Sequence, residues 1–297
     1  MTPGHAADRV DALLAEARAL GVDRLDAQLL LAHHLQRPRA WVLAHGDAAL
    51  ATETAQKVRA DFLRRADQVP LAYLRGWREF YGLALQISPA VLDPRPDTET
   101  LVDWALELLA GELADRPAPQ VVDLGTGSGA IALALAHRCP RAVVHAVEAD
   151  AEALALARAN GKHLQLSVRW LAGDWWAPLA GATVDLALSN PPYIADDDPH
   201  LHALRHEPRQ ALTPGGDGLA ALQAIIAEAP AHLRAGAWLL VEHGPDQGAA
   251  VRSLLARAGL ECVLTRRDLA GLERCSGARR PPQASGNAPR MPHTFED

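Results

Sequence analysis

Val121-Val122-Asp123-Leu124 runs directly into Gly125-Thr126-Gly127-Ser128-Gly129, and the chain is then continuously apolar from Ala130 to Ala136. The first four residues read as a buried strand and the apolar stretch as a helix. The three glycines are the tight turn between them, and they let a ligand approach the backbone closely. Free N–H groups at the start of the helix favour a negative or strongly accepting group. Taken alone the turn is weak evidence, because Gly125, Gly127 and Ala130 also satisfy the dinucleotide-binding pattern.

Downstream the alternation continues. Strands are expected at Ala142 to Val147, Ser167 to Leu171, Val184 to Leu188, Ala237 to Val241 and Glu261 to Thr265. Helices are expected at Ala151 to Lys162, Leu219 to Ala229 and Gln247 to Ala258. This pattern predicts an α/β domain with a mostly parallel sheet covered on both faces. Ligands of such sheets bind beyond the carboxyl ends of the strands.

The strand ends carry the chemistry. Glu148 ends the second strand, where a carboxylate can accept both hydroxyls of a ribose. Asp174 and Trp175 follow the third, where an acid can accept from an adenine amino group and an indole can cover the ring. Three successive strand ends thus describe a ligand containing a nucleoside. NAD and S-adenosylmethionine both satisfy them, and the fourth strand end separates the two. It reads Ser189-Asn190-Pro191-Pro192-Tyr193. The prolines stiffen the backbone and leave carbonyl acceptors without N–H donors. Asn190 adds an acceptor and two donors, and Tyr193 a ring face. Nothing there polarises a carbonyl for hydride transfer. The group suits methyl transfer to a planar nitrogen.

Upstream, Asp8 to Gln68 is expected to be all-helical, with helices through Val10 to Leu20, Leu25 to Leu35 and Thr52 to Leu63. Lys57, Arg59, Arg64 and Arg65 read as a solvated face. Leu71 to Gly76 and Arg78 to Ile87 read as a hairpin with glycine turns. Asp97, in the stiff loop from Asp93 to Glu99, reads as a helix cap or first-turn acid. The division expected is 1–69 helical substrate-recognition domain, 70–92 hairpin linker, 93–275 catalytic domain and 276–297 mobile tail. The tail assignment rests on its Pro, Gly, Ser and Arg content.

The chain has 297 residues, 49% hydrophobic and 22% charged, with a net charge of -7. An acidic balance and a neutral helical domain argue against a partner that is nucleic acid. Cys139, Cys262 and Cys275 form neither a disulfide framework nor a zinc pattern, which points to a reducing cytoplasm. Met1 to His5 lacks the order of a secretory signal, and no apolar run reaches membrane-spanning length. His200, His202 and His206 lack the carboxylate or thiol company of a metal site, so no metal is expected. They read as part of an exposed, mobile substrate loop.

From about Pro70 to Gly271 the chain resembles the bacterial peptide-chain release factor glutamine methyltransferases. The resemblance is carried by Arg78 to Gly82, Pro94 to Glu99, Asp123 to Gly129, Asn190 to Tyr193, Val241 to Gly244 and Arg267 to Gly271. It implies a Rossmann-like methyltransferase domain with a mostly parallel seven-stranded sheet behind a small N-terminal helical bundle. It further implies S-adenosylmethionine as cofactor, contacted by Gly125 to Gly129, Glu148, Trp175 and Asn190. The substrate implied is the glutamine of a Gly-Gly-Gln loop, bound by Asn190, Pro191, Pro192 and Tyr193. Two features depart from the family: Glu148 stands where Asp is common, and Glu273 to Ala278 is a weak closing strand, expected to be short or frayed.

In this reading the Asn190 side-chain oxygen and the Pro191 carbonyl accept the amide protons and Tyr193 packs on the amide plane. Catalysis is then mainly positioning. A monomer is expected. Three rivals share parts of the pattern. A ribosomal-protein glutamine methyltransferase would use the same site. A nucleic-acid adenine-N6 methyltransferase would need a basic face. A non-catalytic S-adenosylmethionine-binding protein would have no use for Asn190 and Tyr193.

Overall fold

A computed structural model describes residues 8–282. Residues 1–7 and 283–297 lie outside that range, and with them the reading of Met1 to His5 and most of the expected tail.

The N-terminal bundle comprises α1 (Val10–Ala19), α2 (Arg24–Leu35), α3 (Arg39–Ala44), α4 (Thr52–Ala66) and α5 (Leu71–Arg75). Val10, Leu13, Leu30, Leu31, Val58 and Phe62 are fully buried in one core. Asp23 caps α2 by accepting from the N–H groups of Leu25 and Asp26. The basic residues of α4 are more than a solvated face. Arg59 pairs with Asp8 and Glu16, and Arg65 with Asp26, so these two cross-link helices. Arg64 pairs with Asp61 and Lys57 with Glu53.

Leu71 to Arg75 is helix α5, not half of a hairpin. Gly76, at φ +75°, ends it in the left-handed conformation typical of a helix C-terminus. The hairpin proper pairs β1 (Trp77–Phe80) with β2 (Leu83–Gln86). Its two-residue turn, Tyr81-Gly82, has positive φ at both positions, the turn that matches strand twist.

The α/β part of the chain contains α6 (Glu99–Ala110), β3 (Gln120–Leu124), α7 (Ala130–Arg138), β4 (Val143–Glu148), α8 (Ala151–Leu164), β5 (Arg169–Ala172) and β6 (Val184–Ser189). It continues with α9 (Ala220–His232), β7 (Leu233–Glu242), α10 (Gly248–Arg257), β8 (Glu261–Arg267) and β9 (Glu273–Arg279). The seven-stranded sheet has the order β5-β4-β3-β6-β7-β9-β8. Strands β3 to β7 are parallel, and β9 runs antiparallel to both neighbours. The direction of winding reverses between β3 and β6, which is where a doubly wound sheet opens its ligand crevice.

Two apolar layers cover the sheet. One centres on Leu101, Trp104, Leu133 and Leu135, the other on Trp176, Leu222, Ile225 and Val251. β9 corrects the expectation of a frayed last strand and of a tail from Ser276. It is inserted between β7 and β8, and Arg274 to Ala278 are buried. Its small residues are a packing requirement. A Cβ on Gly277 would lie 2.4 Å from Leu240 Cδ2 and 2.9 Å from the Trp104 ring.

Candidate active site

The glycine turn is anchored from beneath. Asp123 is fully buried; it accepts from the Thr126 hydroxyl at 2.5 Å and from the Ala132 N–H at 3.2 Å. Burial pushes its carboxyl up to about 7, against the pull of those two hydrogen bonds. The N–H groups of Gly125 and Thr126 both donate to the Val147 carbonyl. The Gly127 N–H donates to Glu148 Oε2 at 2.8 Å, and the Asp150 N–H to Glu148 Oε1 at 3.0 Å. Glu148 therefore ties the turn to the end of β4.

The glycines are not equivalent. At Gly127 (φ +55°) a Cβ would meet nothing within 4 Å, so this backbone faces open space. At Gly125 (φ +74°) it would stand 3.0 Å from the Trp175 ring, so the glycine admits the indole. Trp175 itself is held at φ +41°, an unusual conformation for a bulky residue. Gly129 packs against Leu133, Trp170 and Ala157 and is not among the residues lining the cavity above. It holds the cap position at the start of α7.

Two cavities meet over the carboxyl ends of the strands. The first, about 520 Å³, is lined by Gly125, Thr126, Gly127, Ser128, Glu148, Asp174, Trp175, Asn190 and Pro192. The donor set fits S-adenosylmethionine: open backbone at Gly127, a carboxylate at the ribose position and an indole wall. The volume is in the range of small-molecule sites. The second cavity, about 590 Å³, lies between the bundle and the sheet and is lined by Arg65, Gln68, Arg78, Arg95, Asn190, Pro191, Tyr193 and Glu242. Leu92, Asn190 and Ala211 border both, so Asn190 is the one polar side chain they share.

Asn190 is oriented by a neighbour: its Nδ2 donates to Thr98 Oγ1 at 3.2 Å. The Tyr193 hydroxyl donates to Glu242 Oε1 at 3.2 Å. Burial and the charge of Glu242 raise the Tyr193 phenol, so it stays protonated and donates. The Tyr193 carbonyl accepts from Gln247 Nε2 at 2.9 Å.

The comparisons with known proteins follow this geometry. The family described as "Methyltransferase small domain" matches residues 98–220, and "PrmC N-terminal domain" matches residues 6–76. The release factor glutamine methyltransferase of Bordetella pertussis is 50% identical over 260 residues, covering 86% of this chain and 95% of that protein. The protein of the same name from Escherichia coli K12 is 42% identical, covering 90% and 95%.

The chain belongs to the release factor glutamine methyltransferase family.

Solved structures agree at the level of fold. A methyltransferase from Pyrococcus furiosus superposes with a TM-score of 0.50 at 18% identity, covering 67% of this chain and 90% of its own. The 16S rRNA N2 G1207 methyltransferase of T. Thermophilus, solved with AdoMet and guanosine, gives 0.52 at 22%, covering 69% and 49%.

Within this family frame, several contacts escaped the sequence. Arg95 pairs with the buried Glu207, whose other oxygen accepts from the Asp93 N–H. This joins the stiff loop before α6 to the loop after Tyr193. Arg205 donates to Asp67 and Gln68, and His206 contacts Asp67, so the same loop is clasped to the bundle. His200 and His202 are exposed, with a short 3-10 turn at Pro199–His202. Asp97 is the acid in the first turn of the 3-10 helix Pro96–Thr98, where Arg95 and not Asp97 holds the cap position, and it pairs with Arg274 at 3.4 Å. Among the described residues no group of three His, Cys, Asp or Glu is arranged to hold a metal. No described helix is long and apolar enough to cross a membrane.

Proposed function

We propose that this chain methylates the side-chain amide nitrogen of the glutamine in the Gly-Gly-Gln loop of a peptide-chain release factor, as a cytoplasmic monomer using S-adenosylmethionine. The carrying observation is that Asn190 borders both cavities, with a nucleoside-type donor set on one side and a stiff proline-tyrosine platform on the other. Gly125, Thr126, Gly127, Ser128, Glu148, Asp174 and Trp175 hold the cofactor, which supplies an electrophilic methyl group on a sulfonium.

An amide nitrogen is a poor nucleophile because its lone pair is delocalised into the carbonyl. The chain's task is to orient it. Asn190 Oδ1 and the Pro191 carbonyl accept the amide N–H protons, and Pro192 and Tyr193 confine the amide plane. Fixing the nitrogen in line with the methyl group supplies much of the rate enhancement. Burial of the groups behind them, Glu242 and Ser189, keeps water from competing for those hydrogen bonds. The helical bundle supplies one wall of the second cavity through Asp26, Arg65 and Gln68.

The test is incubation with labelled methyl donor and a release factor, followed by mass mapping of the modified residue. Label on the Gly-Gly-Gln glutamine, and none on a release factor with that glutamine changed to alanine, supports the reading. Label on a ribosomal protein alone, or on adenine in nucleic acid, overturns it.

A further inference from the structure

We propose that Glu242 is a positioning residue that, through Thr98 and Tyr193, fixes the two side chains that grip the substrate amide. The proposal rests on the reading above of Asn190 and Tyr193 as the gripping groups. Glu242 ends β7 beside the end of β6, where Ser189 pairs with Val241, and it is 1% exposed. Its Oε1 accepts from the Tyr193 hydroxyl, and its buried Oε2 completes no hydrogen bond among the described residues. The Thr98 hydroxyl faces the same carboxylate and favours its charged form. Thr98 in turn accepts from Asn190 Nδ2.

A threonine hydroxyl has one proton to give. When Glu242 is ionised that proton turns toward the carboxylate, so Thr98 can only accept from Asn190. The Asn190 amide is then fixed with Nδ2 toward Thr98 and Oδ1 left for the substrate's N–H groups. When Glu242 is protonated its own O–H can turn to Thr98. The Thr98 proton is then free to turn to Asn190, and the asparagine amide loses its reason to keep one face. A flipped Asn190 would set donors against the donors of the substrate amide.

The groups facing Glu242 come from several elements. Burial raises its carboxyl to about 7, opposed by the Thr98 hydroxyl, the Arg274 guanidinium and the Tyr193 hydroxyl, while Asp97 adds to the rise. Cys275, paired with Glu242 across β9, stays a thiol because burial pushes it well up. His243, next in the chain, turns its ring to the Gly244 carbonyl and Ser276. A carboxylate raised to this level is charged above about pH 7 and loses its charge below it, so turnover should rise with pH through that value.

The experiment compares wild type with Glu242→Gln, Thr98→Val, the double variant and Thr98→Ser. It reads kcat and KM for the release factor across pH, donor affinity by calorimetry, and the side-chain amide signals of Asn190 by NMR. Glu242→Gln and Thr98→Val should each lower kcat by roughly 10- to 100-fold. KM and donor affinity should change little, Thr98→Ser should retain activity, and the double variant should be no worse than the poorer single. The rise in turnover near pH 7, and the matching titration of the Asn190 amide signals, should vanish in Glu242→Gln. A Glu242→Gln enzyme that keeps the pH rise, losses that multiply in the double variant, or a fall in donor affinity in step with kcat would overturn the proposal. If wild type transfers no methyl to glutamine, the functional reading fails instead. The NMR titration then decides the positioning network: titration in wild type lost in Glu242→Gln supports it, and none in wild type overturns it.

Discussion

Gly218 lies against the backbone of Tyr193: a Cβ at Gly218 would stand 2.2 Å from the Tyr193 carbonyl oxygen. The neighbour is backbone and cannot swing aside, and Gly218 itself is at φ +79°, where a side chain is strained. A side chain at this position has no room beside the Tyr193 backbone. Gly218→Ala should displace Tyr193 or the loop, cost about 1–3 kcal/mol of stability, and lower turnover by roughly 100-fold. Thermal unfolding and steady-state kinetics on the same preparation check this; an alanine variant with wild-type kcat would remove the argument.

Glu148 closes the glycine turn, and its second, proposed task is to read ribose. Glu148→Ala should weaken donor binding by about 1.5–3 kcal/mol, the scale of a hydrogen bond to a charged group. Calorimetry with a deoxyribose donor analogue separates the tasks. Wild type should bind the analogue more weakly than the natural donor, and Glu148→Ala should not distinguish them. Equal binding of the two by wild type would leave Glu148 with the turn alone.

Asp123 gives a stability signature in pH. Its carboxyl is raised to about 7 in the folded protein by burial, against an ordinary value near 4 when unfolded. Between those values the folded state holds a proton that the unfolded chain has released, so this group's contribution to stability falls as pH rises through the window. Asp123→Asn removes the titration. The melting temperature of the variant minus that of wild type should therefore grow more positive from about pH 5 to about pH 8. A difference independent of pH would show that Asp123 does not titrate there.

Gly277→Val should destabilise the sheet by about 1–3 kcal/mol through overpacking, since a Cβ would press on Leu240 and Trp104. Chemical denaturation measures this, with Gly46→Ala as a comparison at a glycine that is not at positive φ and whose Cβ would make only an ordinary contact, 3.5 Å from Asp11 Cβ. Equal effects at the two sites would mean that β9 is not held under Trp104.

What the sequence disclosed and what it hid have physical causes. The glycine turn, Glu148 and the Asn190 to Tyr193 platform are contiguous signals at strand ends, and the alternation of apolar segments places them on one side of a parallel sheet. β9 was harder, because Ser276-Gly277-Ala278 has no strand-like bulk; its small residues answer to Trp104 on a distant helix. α5 is a single turn, and Gly76, which ends the helix, gives the same local signal as a hairpin turn. The contacts around Asn190 leave no local trace at all. Thr98 comes from the turn before α6, Glu242 from the end of β7 and Arg274 from β9; sheet register aligns the last two, and the packing of the turn before α6 brings Thr98 to Asn190.

The most direct measurement is the effect of Asn190→Ala on two quantities from one preparation: turnover on the release factor and affinity for the methyl donor. Asn190 borders both cavities, but its proposed task is to orient the substrate amide. Turnover should fall by roughly 100-fold or more, because a misoriented amide loses the positioning advantage. Donor affinity should stay within about threefold, a difference below 1 kcal/mol. Turnover retained near wild type, or turnover and donor affinity falling together, would contradict the account.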